Sequence, residues 1–305
     1  MNSQAINGKH SGVVVPMVTP ITADGRLDEP SVERLVEFLL AGGVDGIFIM
    51  GTTGEGAAIP HGSRQRFVEL TVARARNRTK IFAGLGGADP DEIASGNDYF
   101  RAGVHAVVSR PPAKTAPDEM RLWYQALLNG LNGPLLLYNM PITANVSIPL
   151  DLVGELIGHP NLAGIKDSEN NPARHEELLK RFGGRNDFSV FIGVGALMEK
   201  GLRLGADGIV PSAGNLIPTI CKSFCEAARE KNWGATSDYF SQMNAAAALY
   251  QKGRTLDESL SALKAAAHSL GLCSPAVLPP LKLLSEAEQK TLRAEMTRLH
   301  LLNGK

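Results

Sequence analysis

Short apolar runs alternate along the chain with longer segments in which apolar residues recur every three or four positions. The short runs contain few polar residues, which is typical of strands buried on both faces of a parallel sheet. This pattern predicts eight strands, over residues 13–19, 46–50, 80–84, 106–109, 134–138, 162–166, 189–192 and 208–210.

The segments between these runs have the apolar spacing of helices, and several begin with proline, which suits a first helical turn. Helices are predicted over residues 30–40, 63–75, 90–101, 117–128, 149–157, 172–182 and 218–231. Eight strand–helix units in about 230 residues predict an α/β fold, a (β/α)8 TIM barrel. A doubly wound open sheet is the alternative, but no Gly-x-Gly-x-x-Gly fingerprint opens a helix after the first strand.

The rest of the chain is also predicted to be helical, over residues 233–250, 256–270 and 285–302. The alanines at positions 245–248 would let one of these helices pack closely against a neighbour. We therefore predict a (β/α)8 barrel catalytic domain over residues 1–231, followed by a C-terminal helical appendage over residues 232–305.

The charge balance narrows the classes of function. Lys plus Arg and Asp plus Glu each number 31, so the chain lacks the basic excess of proteins that bind nucleic acid or a membrane surface. The first ten residues have no signal-peptide core, and no apolar run reaches the ~20 residues of a membrane span. We therefore expect a cytoplasmic protein, in which a zero net charge does little to oppose self-association.

The cysteines and histidines give no pattern of metal ligands. Cys221, Cys225 and Cys273 are too few for a disulfide scaffold, and their simplest role is that of buried small apolar residues. Cys221 and Cys225 share a helix face, so a metal pair is the alternative, but no histidine or acidic cluster at ligand spacing accompanies them. We predict that no metal takes part in the chemistry.

Two strands end in residues that can carry chemistry. In TIM barrels the reactive groups lie at the C-terminal ends of strands, and Lys166 ends the apolar run 162–166 while Tyr138 ends the run before it. Burial disfavours an ammonium, so a free amine at Lys166 could attack a ketone and form a Schiff base. Tyr138 could relay protons to that amine, because adjacent strands lie about 4.8 Å apart. The alternatives are a lysine that reaches to water and a tyrosine that only packs.

Glycine-rich segments follow two other strands. Residues 51–56, with Thr52 and Thr53 among three glycines, can aim backbone N–H groups at a small anion. A carboxylate suits this loop better than a phosphate because the segment has no Lys or Arg, and a tight turn is the alternative. Gly193 follows the seventh strand and would provide clearance for a substrate or for close packing.

Three motifs in the same order resemble the dihydrodipicolinate synthase / N-acetylneuraminate lyase superfamily. They are Gly-Thr-Thr-Gly-Glu at 51–55, Tyr-Asn-Met-Pro at 138–141 and Gly-Ile-Lys-Asp-Ser at 164–168, and the resemblance covers nearly the whole chain. It implies pyruvate-dependent class I aldolases on a TIM barrel, commonly tetramers, that use no cofactor beyond the covalent Schiff base.

The resemblance also implies roles for individual residues. Lys166 corresponds to the Schiff-base lysine and Tyr138 to the tyrosine that relays protons. Thr52 and Thr53 correspond to the pair that binds the carboxylate of pyruvate, and the backbone of Val210 corresponds to one that lies near the bound pyruvate.

Two departures bear on the second substrate. Thr143 stands where the synthase places an arginine that holds the carboxylate of its aldehyde substrate. The loop at 109–114 has prolines where the synthase has tyrosines, and Arg110 or Lys114 in it could supply charge instead. These departures favour aldolases that act on 2-keto-3-deoxy sugar acids or 4-hydroxy-2-oxo acids.

Three functions remain open. The first is a lyase or aldolase that reversibly joins pyruvate to an aldehyde, with both as small-molecule partners of a homo-oligomer, tetramer or dimer. The second is dihydrodipicolinate synthase or an enzyme like N-acetylneuraminate lyase. The third is a non-catalytic protein that binds keto acids, which the presence of Lys166, Tyr138 and Thr53 opposes.

Overall fold

A computed structural model describes residues 9–302 of the chain. Its eight strands form a closed parallel barrel in which each strand pairs with the next and the last pairs with the first. The strands are β1 Gly12–Pro16, β2 Gly46–Ile49, β3 Lys80–Leu85, β4 Ala106–Ser109, β5 Leu135–Asn139, β6 Leu162–Asp167, β7 Ser189–Ile192 and β8 Gly208–Ile209. The predicted TIM barrel is therefore confirmed.

Helices surround the barrel and continue beyond it. Along the chain they are α1 Glu29–Ala41, α2 His61–Ala75, α3 Pro90–Ala102, α4 Pro117–Gly130, α5 Pro141–Ala144, α6 Leu150–Leu156, α7 Pro172–Phe182, α8 Met198–Arg203, α9 Pro218–Arg229, α10 Trp233–Gln251, α11 Leu256–Ser269 and α12 Glu286–Arg298. No helix within residues 9–302 combines the length and the apolar character that a membrane span requires.

Each strand face packs into a different apolar layer, because successive side chains of a strand point to opposite faces. Inside the barrel lies a cluster that includes Phe48, Leu136, Tyr138 and Phe191. Leu137 and the other outward-facing residues pack instead against the helices. Tyr138 is thus directed to the barrel interior, where the strand ends meet.

The C-terminal helices pack on the barrel rather than apart from it. Met243, Leu249 and Tyr250 of α10 and Leu263 of α11 belong to the same buried cluster as the outer faces of the strands. The Tyr250 hydroxyl also lies 2.7 Å from the Ser212 hydroxyl, in the loop after β8. A boundary between two domains near residue 231 stays a prediction.

The structure differs from the sequence prediction mainly at element ends and in short helices. β1 ends at Pro16 instead of residue 19, since the Val18 N–H donates to the Asn215 side chain at 3.0 Å rather than to a strand. β8 ends at Ile209, one residue earlier than predicted and close to Pro211, which has no N–H to extend the ladder. The short helices α5 and α8 were not predicted, because a helix of one or two turns has too few periodic positions to recognise.

The three cysteines are free and buried, as expected of small core residues. Burial raises the pKa of the Cys225 thiol to about 12 and that of Cys273 to about 11. Within residues 9–302, no group of three or more His, Cys, Asp or Glu side chains is arranged to hold a metal ion.

Candidate active site

Lys166 and Tyr138 lie side by side at the C-terminal mouth of the barrel. They are register partners on the paired strands β6 and β5, and each is at most 6% exposed. The Lys166 Nζ atom lies 4.0 Å from the centroid of the Tyr138 ring and 5.0 Å from that of Phe48. In the described part of the chain no carboxylate forms an ion pair with Lys166, so two aromatic faces surround an amine that is left without a counterion.

The Tyr138 hydroxyl is placed to exchange protons. It lies 3.2 Å from the Thr52 hydroxyl, and either group could be the donor. Burial raises the pKa of the Tyr138 phenol, but the charge of Lys166 and hydrogen bonds with Thr52, Lys166 and Ser168 outweigh it, so the net pKa is lower than ordinary. A phenol of lowered pKa, beside an amine, is suited to general acid–base work.

The loop after β2 bends sharply enough to bring its threonines to the barrel mouth. Met50 and Glu55 both have left-handed backbone conformations, with φ of 59° and 56°. A Cβ atom on Gly56 would lie 1.9 Å from the Met50 carbonyl oxygen, so only glycine fits there. The half-buried Thr52 and Thr53 both line the cavity that contains Lys166.

The Lys166 cavity has a volume of about 350 Å³. Gly193 and Val210, both predicted from sequence, also line it. A Cβ on Gly193 would lie 2.1 Å from the Ser168 hydroxyl and 3.2 Å from Lys166 Cε, so glycine is needed for clearance. Among the described residues that line this cavity, Lys166 alone has a charged side chain; the polar remainder is Thr52, Thr53, Tyr138, Ser168, Asn170, Ser212, Tyr250, Gln251 and Ser259.

Thr143 and Arg110 line a second cavity of about 470 Å³ that shares Thr52 and Tyr138 with the first. The Thr143 hydroxyl donates to the Met140 carbonyl oxygen at 3.2 Å, within the turn that starts α5. Arg110 has no ion pair with any described residue. The structure therefore brings Lys166, Tyr138, Thr52, Thr53, Val210 and Gly193 together and places Thr143 beyond the Tyr138–Thr52 pair.

Lys114 lines neither of these two cavities, and its backbone N–H donates to the Ala144 carbonyl oxygen at 2.7 Å. The loop after β4 thus presents Arg110 rather than Lys114 to the mouth of the barrel. A contact of either residue with the substrate stays a prediction.

Asp167, which follows the lysine, is part of a buried polar network. Its carboxylate accepts hydrogen bonds from Arg174 Nε at 2.8 Å and from Asn139 Nδ2 at 3.1 Å, and His175 Nε2 lies 3.3 Å away. Burial raises the pKa of Asp167, but the hydrogen bond with His175 and the charge of Arg174 lower it by more than burial raises it. The net pKa of Asp167 is therefore below its ordinary value. The network joins the residues that directly follow Tyr138 and Lys166 and so fixes both strand ends.

A second buried contact, unforeseen from the sequence, holds the threonine loop. Glu55 Oε1 accepts from Lys264 Nζ at 2.6 Å, and the side chains are 3% and 1% exposed. Burial lowers the pKa of Lys264, and the Glu55 carboxylate partly opposes that shift. The sequence did contain a signal for this contact: Lys264 lies among the alanines of α11, a pattern typical of a buried helix face. A lysine buried there is expected to have a carboxylate partner, because a lysine is almost never fully buried without one.

The arrangement agrees with what the whole chain is similar to. Residues 9–299 match the dihydrodipicolinate synthetase family. A curated relative from Shewanella piezotolerans, 4-hydroxy-tetrahydrodipicolinate synthase, is 32% identical over 282 residues, which cover 90% of this chain and 94% of the relative.

Solved structures give the same result. The dihydrodipicolinate synthase of Bacteroides thetaiotaomicron superposes with a TM-score of 0.90 at 29% identity, covering 96% of this chain and 99% of that one. A prophage protein of Escherichia coli K12 from the dihydrodipicolinic acid synthase family, solved in complex with pyruvate, has a TM-score of 0.88 at 26% identity and covers 95% and 99% of the two chains. The chain therefore belongs to the dihydrodipicolinate synthetase family: it is a lyase of the pyruvate-dependent class I aldolase type, which acts through a lysine Schiff base without a metal or an external cofactor.

Proposed function

We propose that the protein reversibly cleaves a 2-keto-3-deoxy sugar acid, or a similar 4-hydroxy-2-oxo acid, to pyruvate and an aldehyde, with Lys166 as the Schiff-base lysine. One observation carries the choice of substrate. Apart from Lys166, every described residue that lines the Lys166 cavity is neutral, and hydroxyl and amide groups predominate among the polar ones. Such a lining offers hydrogen bonds to a hydroxylated aldehyde but no fork donor for a second carboxylate.

Cleavage begins with attack of the neutral Lys166 amine on the C2 carbonyl of the substrate. The carbinolamine loses water and becomes an iminium at C2, which can accept the electron pair of the C3–C4 bond as a C2–C3 double bond forms. The C4 hydroxyl then loses its proton, the C3–C4 bond breaks, and the aldehyde leaves while the iminium becomes an enamine. Protonation at C3 and hydrolysis release pyruvate and the free lysine.

Tyr138 and Thr52 are proposed to move the protons of this sequence. The phenol lies beside both the amine and the Thr52 hydroxyl, so it can give a proton to the departing water and take one from the C4 hydroxyl. Thr52 and Thr53 hold the carboxylate of the substrate, Gly193 gives its C2 centre clearance, and the backbone of Val210 borders it.

The second candidate is condensation of pyruvate with an aldehyde, as the names of the synthase relatives indicate for those proteins. Its specific support here is Arg110, a cation without an ion pair among residues 9–302 that lines the neighbouring cavity with Thr143. Aspartate semialdehyde carries a carboxylate that Arg110 could bind in place of the missing arginine.

Two measurements on one preparation test the proposal. Borohydride with pyruvate should add a reduced pyruvyl group to Lys166, detected by peptide mass spectrometry; an adduct on another lysine would reject the assignment of this residue. The value of kcat/KM for cleavage of a 2-keto-3-deoxy sugar acid should exceed that for aspartate semialdehyde condensation, because a hydrogen bond to a charged group is worth roughly 1.5–3 kcal/mol and its absence weakens capture of aspartate semialdehyde by at least ~10-fold. Faster turnover of aspartate semialdehyde would restore the synthase.

We also propose that the enzyme is a cytoplasmic homo-oligomer, a tetramer or a dimer. The zero net charge leaves little charge repulsion to oppose self-association. Sedimentation equilibrium of the full chain gives the state directly, and a monomer at micromolar concentration would exclude the assembly.

A further inference from the structure

The loop that carries Thr52 and Thr53 is held through the carboxylate of Glu55. Its Oε1 atom accepts a hydrogen bond from Lys264 Nζ at 2.6 Å, and its Oε2 atom accepts one from the Leu278 N–H, also at 2.6 Å. Both donors come from the C-terminal region, more than 200 positions further along the chain. Because both oxygens are occupied, the side chain of Glu55 has one orientation.

That single orientation also shapes the backbone of the loop. Glu55 has a left-handed conformation at φ 56°, which a non-glycine residue keeps only where its surroundings hold it. The neighbouring Gly54 carbonyl accepts a hydrogen bond from the Thr19 hydroxyl at 2.5 Å, and the Gly56 N–H donates to the Gly51 carbonyl at 3.0 Å. Contacts from Thr19, Lys264 and Leu278 thus converge on the loop of residues 51–56.

A buried ion pair of this kind needs a reason other than stability. Two well-packed apolar residues in place of such a pair are often as stable, because the charges lose their hydration. Lys264 lines neither cavity, whereas Leu260 and Leu263 on the same helix α11 line the Lys166 cavity. The ion pair therefore connects a helix that borders the site to the loop that carries its threonines.

We infer that Glu55 and Lys264 are positioning residues that hold Thr52 and Thr53 in the orientation that receives the substrate's carboxylate. This inference rests on the proposed function, in which that loop binds the carboxylate. Lys264 acts only through Glu55, and the C-terminal helices take part in binding pyruvate through this contact.

The test compares two ketones that differ only in the carboxylate. Pyruvamide keeps the ketone of pyruvate and replaces its carboxylate with a neutral amide. Rate constants for reductive trapping of each by cyanoborohydride are measured on the full-length protein and on Lys264→Met, Glu55→Gln and the double variant. The double variant leaves no lone charge buried, so we expect it to fold even where a single variant does not. Lys222→Met, which removes a 2.7 Å ion pair with Asp45 at the other end of the barrel, is the matched control.

The expected result is a fall of at least about 10-fold in the ratio of pyruvate to pyruvamide trapping in all three variants at the Glu55–Lys264 pair, the scale of one hydrogen bond to a charged group. The ratio for Lys222→Met should equal that of the wild type. Equal losses for both ketones would mean a merely structural role, and a double variant with the wild-type ratio would also overturn the inference. If the wild type is not trapped on Lys166 at all, the proposed function fails instead.

Discussion

Both ends of the barrel contain lysines that are shielded from solvent, but in opposite surroundings: those at the N-terminal end are half-buried and paired, whereas Lys166 at the mouth is buried. At the N-terminal end, Lys9 pairs with Asp207 and Lys222 with Asp45, each at 2.7 Å. Both carboxylates also accept backbone N–H groups, those of Val190 and Val13. At the mouth, Lys166 lies over aromatic rings and has no carboxylate partner within residues 9–302.

The difference shows how to separate structural charges from reactive ones. At the N-terminal end the two carboxylates accept backbone N–H groups of the strands and the lysines neutralise those carboxylates, as expected where a barrel maintains its stability. At the mouth the buried Lys166 amine has no carboxylate partner among residues 9–302 and borders a cavity, which leaves it accessible to a substrate. Lysines shielded from solvent occur at both ends, and the absence of a counterion among residues 9–302 distinguishes Lys166, the one proposed to react.

The largest expected difference in kcat is between substitution of Lys166 at the mouth and substitution of Lys222 at the N-terminal end. Lys166→Arg removes the nucleophile and should lower kcat by on the order of 10⁶-fold, the scale seen when a covalent nucleophile is lost. Lys222→Met should lower the melting temperature and leave kcat unchanged. Steady-state kinetics and thermal melts of both variants check this, and comparable kcat losses would erase the distinction between the two ends.

Removal of one hydroxyl should have the next largest effect. Tyr138→Phe keeps the ring over Lys166 and should lower kcat by ~10²–10⁴, the usual worth of a positioned acid–base group. Tyr99→Phe is the matched control, because Tyr99 is also buried, at 2% exposed, and lines neither of the two cavities at the mouth. A Tyr138→Phe enzyme within a few-fold of wild type would remove this phenol from the mechanism.

Acid should lower the free energy of unfolding through His10, at the N-terminal end of the barrel. Burial, with the charges of Lys80 and His105, lowers the pKa of His10 to about 4. Because the pKa of His10 is lower in the folded state, the unfolded state takes up a proton first as the pH falls. The contribution of neutral His10 to stability is therefore fully present above the unfolded pKa of about 6.5 and is lost as the pH falls from there towards 4. From about pH 7.5 to about pH 5.5 the loss should be about 1 kcal/mol.

Urea unfolding at the two pH values measures this loss in the wild type and in His10→Gln. The variant should lack the contribution of His10, so its unfolding free energy should fall less on acidification. An equal fall in both proteins would assign the acid sensitivity to other groups, of which His105 is the nearest, since burial lowers its pKa as well.

The smallest effect is expected from chelation. In the proposed mechanism the iminium at Lys166 supplies the electron sink that a metal supplies in other aldolases, so EDTA should leave kcat/KM unchanged. A loss of turnover that a divalent ion restores would contradict the Schiff-base mechanism, and the borohydride adduct measured in the same sample would then show whether the covalent step still occurs.

Local pattern was sufficient to predict the barrel and the meeting of Lys166 with Tyr138 at its mouth, whereas the catalytic roles proposed for them came from the family resemblance. Strands buried on both faces are short apolar runs in any sequence, and the alternation of side chains along a strand determines that Leu136 and Tyr138 face the same side. A lysine and a tyrosine that end adjacent parallel strands must then meet at the mouth, and the register of Tyr138 with Lys166 agrees. The order of these elements along the chain was all that this prediction required.

Contacts between distant parts of the chain were decided only by the tertiary structure. Glu55 and Lys264 are 209 positions apart, and neither has a local pattern that names its partner, so their pairing follows from how α11 packs on the barrel. The start of α5 likewise directs the Thr143 hydroxyl to the Met140 carbonyl, and a contact of Thr143 with the second substrate stays a prediction. Periodicity determines which face of an element is buried, whereas the packing of whole elements determines which polar side chains meet there, because that depends on distances that no local pattern encodes.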